Sequence, residues 1–348
     1  MLRWLAGGAV VAGGAAGCTV EDPAVRPTDP PPAPPTPPAP PPPPPGLDGA
    51  VADESRALAS CLALAERDLS DGQLANLAVA ADIHHRHLVA LALPRPQTRP
   101  GTDRPSPSGS SGSQASPSVD APSPTAPSTL VGSPALPTVH LPKKPGDAVK
   151  AFDAAIDEVC TGHLGRAAAT DGAVALLWAS LAAGAAQSGA LAHRSPAVSA
   201  PPTEPDHPPY RSMTTAAAAR ALLAQLHAIV FGYQVALAPL DQQEAERPLA
   251  RLADLRHHRD VLAAVLRDQD VEVPVAEPEY DTGGPVTTAA AATTLIGRME
   301  QALLPHLGNW VAAADAEHRR VAAQWLVDGT VTALRNDAAP LRWPGWPD

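Results

Sequence analysis

The sequence predicts an all-α protein made of two four-helix bundles, each in the order hairpin, crossover, hairpin. Three observations lead there. Apolar residues recur at helical spacing in eight stretches. Alanine is abundant and aromatic residues make up only 3% of the 348 residues, a composition suited to helices with small-residue interfaces. Most of the 43 prolines gather in segments that separate the helical stretches and can join neither helix nor sheet.

Taken in order, the chain begins with a short basic start at Arg3, an apolar stretch over residues 4–16, and Ala15-Ala16-Gly17-Cys18. This resembles a bacterial lipoprotein signal peptide over residues 1–18, with Cys18 as the lipidated residue and small residues before it for the peptidase to grip. Ala15 stands where such signals usually carry leucine. Each buried methylene of a lipid is worth about 0.8 kcal/mol, so two or more acyl chains anchor stably. Residues 19–46 form a Pro-rich tether, extended at about 3 Å per residue. The expected address is the extracytoplasmic face of the cell membrane, with the lipid as the membrane contact.

The first bundle spans residues 47–194. Helices are expected over 47–69, through Leu58, Cys61 and Leu62, and over 71–93, through Leu74, Leu77, His84, Leu88 and Leu91. Residues 94–146 are rich in Ser, Pro, Thr and Gly and read as disordered. Helices follow over 147–166, through Phe152, Ile156, Val159 and His163, and over 171–193, where alanine and leucine on every side imply burial on more than one face. Cys61 and Cys160 fall on inner stripes. In an exported protein they suggest a disulfide closing a loop of about 100 residues, worth up to about 4–5 kcal/mol.

A second linker covers 195–211, and the second bundle 212–348. Its first helix, over 212–237, carries Leu223, Leu226, Val230, Tyr233 and Leu237. Pro239-Leu240-Asp241 ends it, and Asp241 can cap the next helix, over 242–268. An acidic, Pro- and Gly-containing connection over 271–285 leads to helices over 286–310 and 313–336. The Trp- and Pro-rich ending over 340–348 cannot be helical, and its tryptophans are expected to dock on the bundle.

His227, His258 and His318 lie near the apolar stripes of three different helices, with Glu300 at the inner edge of a fourth. Three inward histidines and a carboxylate suit zinc or iron. The alternative is that these histidines sit at bundle edges, bonded to backbone or water. Glu54, His84 and His163 also align with inner stripes in the first bundle, and His84-His85-Arg86-His87 offers an adventitious metal site or a solvated face. No nucleophile stands with a base, and no glycine-rich phosphate loop opens a helix. The formal charge of −11 argues against non-specific nucleic-acid binding.

The run Leu222-Leu223-Ala224-Gln225-Leu226-His227-Ala228-Ile229-Val230-Phe231-Gly232-Tyr233 is similar to the first-helix motif of an actinobacterial ferritin-like family of unknown function. Arg259-Asp260-Val261-Leu262 and the Trp/Pro-rich ending resemble it too. The resemblance covers about residues 212–347 and, more loosely, 47–193. It implies a ferritin-like bundle. It does not imply ferroxidase activity, because Leu226 stands where the family carries glutamate and no Glu-x-x-His pair occupies a matching position. The expected function is a lipid-anchored, non-catalytic binding or structural module without cofactor, its partner an envelope protein. The alternatives are a metal-binding protein or oxidase using iron or zinc, and a carrier of a small apolar ligand.

Overall fold

Eight α-helices and two three-residue strands make up the computed structural model, which describes residues 42–92, 98–100, 136–198 and 210–347. The expected signal peptide, Cys18 and nearly all of the tether lie outside the described residues, as do residues 101–135 and 199–209 of the two linkers.

The helices come as four successive pairs: α1 (Leu47–Ala65) with α2 (Asp71–Leu91), α3 (Pro145–Ala169) with α4 (Gly172–Ala192), α5 (Thr215–Leu237) with α6 (Gln242–Asp268), and α7 (Ala289–Ala313) with α8 (Ala316–Arg335). Their starts follow local chemistry. Ser70 and Gln73 form a capping box on α2, and Asp241 and Glu244 form one on α6, where a cap was expected. Pro145 occupies the first turn of α3, where its missing N–H costs nothing. Thr214, Thr288 and Asp315 cap α5, α7 and α8 through side-chain oxygens.

Within the first half α1 packs on α2 and α3, and α4 packs on α2 and α3. Within the second α5 packs on α6 and α7, and α7 packs on α8. A groove of about 680 Å³ runs between α6 and α8, lined among others by Leu240, Arg247, Asp254, Asp328 and Arg335. The two halves share one core. The reason lies in α4, apolar on all sides, which packs against α7 and α8 as well as its own partners. Polar groups reinforce the seam: Arg194 donates to the Leu334 carbonyl at 2.6 Å and pairs with Asp337 at 2.7 Å, and Arg319 donates to the Thr170 carbonyl. Helices α4 and α5 are long and apolar enough to cross a membrane, yet 78% of the most apolar window of α4 is buried within the protein.

Strand β1 (Thr98–Pro100) lies in a stretch read from sequence as disordered, and pairs in parallel with β2 (Tyr210–Ser212). Tyr210 is buried beside α4 and α7.

The disulfide expected between Cys61 and Cys160 is not formed; both are buried free thiols. Sharing an inner stripe is not enough to bring them together. Cys160 lies where Asp157 and Asp328 of α8 act on it, whereas Cys61 feels Glu54 of its own helix. Burial and then these carboxylates push each thiol up to about 12. Both thiols should therefore resist alkylation in the folded chain, and peptides containing Cys61 and Cys160 should each carry one label after unfolding without reductant. Unlabelled peptides that become reactive only after reduction would restore the disulfide.

Candidate functional site

Four side chains with no solvent exposure meet in the first half: Glu54 of α1, His84 and His87 of α2, and His163 of α3. The spacing His84-x-x-His87 sets two imidazoles on one face of α2. Both point Nδ1 at the same oxygen, Glu54 Oε2, at 2.8 and 3.0 Å. Glu54 Oε1 accepts from His163 Nε2 at 2.9 Å. On α4, Gly184 makes room, since a Cβ there would lie 2.7 Å from His87 Cε1.

The bonds fix where the protons sit. Arg166 donates to His163 Nδ1 at 3.2 Å, so His163 is neutral and carries its proton on Nε2. His87 faces an acceptor on each side, Glu54 Oε2 and the main-chain carbonyl of Arg342 at 2.7 Å, so it holds both protons and a positive charge. His84 donates through Nδ1, and its Nε2 is buried with no partner. Burial alone would raise the Glu54 carboxyl, but the charges of His87 and His84 and the bond from His163 outweigh it and hold Glu54 well below the usual carboxylate range. Arg166 also pairs with Asp53 at 2.7 Å, which carries the polar chain outward to the edge of α1.

Glu54, His84 and His87 have the donor set of a metal centre, with one ligand atom each lying within 4.8 Å of the others. The Nδ1–Oε2 spacings of 2.8 and 3.0 Å are hydrogen-bond distances, and an ion held by these three atoms would replace the two Nδ1 protons between them. The bond from His87 Nε2 to a backbone carbonyl is the arrangement that orients a metal-ligating imidazole. His163 would then hold the second carboxylate oxygen.

The second half contains another buried carboxylate, satisfied differently. Glu300 of α7 accepts a two-pronged ion pair from Arg251 of α6, at 2.8 and 2.9 Å, and a hydrogen bond from Tyr233 of α5 at 2.7 Å. Burial and then the Glu300 charge push the Tyr233 hydroxyl well above the usual phenol range, and Glu300 keeps the Arg251 cation firmly charged against the opposing effect of burial.

Residues 217–348 match the family model described as a domain of unknown function, DUF4439. The crystal structure of a conserved hypothetical protein from Mycobacterium tuberculosis is similar at 29% identity and a TM-score of 0.34, over 35% of this chain and 94% of that one. A search of curated proteins finds no match.

Residues 217–348 do not bring His227, His258, Glu300 and His318 together. His227 bonds through Nε2 to the Pro274 carbonyl at 3.2 Å. His258 stacks on Trp325 of α8 with ring centres 3.8 Å apart. His318 binds Asp315, the cap of its own helix, at 2.9 Å. Glu300 is taken up by Arg251. Leu226 is buried in the core. Sequence phase had aligned Glu54, His84 and His163; it missed His87 as their partner, although the i, i+3 spacing from His84 carried that signal. The contact from Arg342 had no signal in the sequence.

Two measurements test this second half. Arg251→Leu strands Glu300 without its cation and should cost about 3–5 kcal/mol in urea unfolding; a loss below about 1 kcal/mol would show the pair to be dispensable. His258 is lowered from the ordinary 6.5 to about 3 by burial, then by Arg251 and His257. The unfolded chain therefore takes up this proton more readily. The stability held by neutral His258 is complete above pH 6.5 and drains away as pH falls toward 3. Urea midpoints at pH 7 and pH 4.5 should fall less steeply in His258→Gln than in the parent chain, and equal slopes would count against this assignment.

Proposed function

We propose that this chain is a metal-binding protein of the cell envelope, anchored by lipid at Cys18 and built from two ferritin-like bundles. The observation that carries the metal reading is the convergence of two Nδ1 atoms from one i, i+3 pair on a single oxygen of a wholly buried carboxylate. Glu54 Oε2, His84 Nδ1 and His87 Nδ1 would hold one divalent ion. Two imidazoles and a carboxylate suit zinc, iron or manganese, and leave positions on the ion for further ligands. A bound ion supplies Lewis acidity, or one-electron chemistry if it is iron.

The protein's own groups prepare the place. Glu54 stays ionised without water, Arg342 turns the His87 ring, and Arg166 sets the His163 tautomer that fixes Oε1. To hold an ion through Nδ1, His87 would have to give up its Nδ1 proton. His84 can retain its proton by moving it to Nε2.

The reading departs from a ferritin-like di-iron centre, which draws glutamates and Glu-x-x-His pairs from all four helices. Here three ligands come from two helices, so the expected stoichiometry is one. Elemental analysis after equilibrium dialysis against zinc, ferrous iron and manganese in turn should give close to one equivalent of one of them. Glu54→Gln and His87→Gln should each lower the affinity at least tenfold. A chain that stays metal-free at micromolar concentrations of all three would sink the metal reading and leave a non-catalytic binding module with a polar core.

A further inference from the structure

The polar cluster of the first half is closed by residues from the far end of the second. After α8 the chain turns back over α2 and α4. Gln187 of α4 grips Leu341 from both sides, donating to its carbonyl at 2.9 Å and accepting from its N–H at 2.9 Å. Arg342 places its carbonyl on His87 Nε2 and its guanidinium 3.4 Å from Asp82 of α2. The Trp343 ring lies against the His87 ring, centres 4.7 Å apart, and Trp346 meets Trp343 at 6.3 Å. Both tryptophans are buried. The turn that delivers them depends on Gly345, at φ +81°, whose carbonyl lies so close to Gly308 of α7 that a Cβ there would sit 1.7 Å from it.

We infer that residues 340–346 form a strap that positions His87 and gates access to the Glu54–His84–His87 site. The metal arm of this inference rests on the function proposed above; the closure itself does not. The strap contacts His87 on its Nε2 edge and on its ring, while Glu54 holds the Nδ1 edge. An ion approaching from this side, or any reagent for the imidazole, must displace Trp343. The polar part of the grip is two hydrogen bonds from Gln187, the bond of the Arg342 carbonyl to His87 and an ion pair at 3.4 Å, and the buried rings of Trp343 and Trp346 add an apolar part.

The test uses the full chain, its Trp343→Ala variant and the gentler Gln187→Leu variant, which removes the two hydrogen bonds and leaves the strap residues intact. Diethyl pyrocarbonate labels accessible imidazoles, and peptide mass spectrometry reads the rate at His87. Alkylation of Cys61 reports global opening. His87 labelling should rise at least tenfold in both variants while Cys61 stays protected. Zinc loaded at one equivalent should pass to a chromophoric chelator at least tenfold faster from both variants, with the stoichiometry unchanged. Unchanged His87 labelling in Gln187→Leu, or labelling that rises only together with Cys61, would overturn the strap. A chain that takes up no metal would sink the metal reading alone, since labelling still reports the closure.

Discussion

A carboxylate without access to water must be met by protons or cations held in place, and Glu54 imposes this on the whole first half. An unpaired buried charge costs several kcal/mol, so the helices around it cannot slide or rotate independently. Helix α2 must present His84 and His87 on one face, α3 must present His163, and α4 must carry a glycine at position 184. Arg166 and Asp53 extend the requirement outward. A small-residue helix packing that would otherwise tolerate several registers is thereby restricted to one, with alanine supplying close approach and the polar cluster supplying uniqueness.

The two buried carboxylates divide the molecule by chemistry. Glu300 is answered by a guanidinium, which does not release its proton in a protein, and by a tyrosine that burial and charge keep protonated. That arrangement is permanent. Glu54 is answered by imidazoles, which can give up a proton and offer the same nitrogen to an ion. The first arrangement ties α5, α6 and α7 together. The second ties α1, α2 and α3 together through the imidazoles of His84, His87 and His163. The seam formed by α4 brings both into one core, and the residues after α8 reach the Glu54 cluster through Arg342 and Trp343.

Most of the secondary structure was legible because its signals are local: helical spacing of Leu and Ala, the cap at Asp241, and prolines between helices. The all-apolar character of α4 announced a central helix. Tertiary pairing was not legible to the same degree. Cys61 and Cys160 share inner stripes, but a stripe specifies a face and not a partner, and Cys160 lies under the influence of α8. For the same reason four ligand-type residues in the second half looked convergent and are in fact occupied separately by a backbone carbonyl, a tryptophan, an arginine and a capping aspartate. Glu54, His84 and His163 could be aligned by phase, whereas the role of Arg342 depends on a main-chain carbonyl and leaves no mark in a sequence.

The bond between His87 and Arg342 joins positions 255 residues apart. At a synthesis rate of about 5–20 residues per second, Arg342 is made about 10–50 s after His87. During that interval the residues of α1 and α2 have been made, and His84 and His87 have no cover from Trp343. The order of manufacture therefore separates assembling the cluster from shutting it, and the chemical environment of the emerging chain has access to the core before the folded protein denies it.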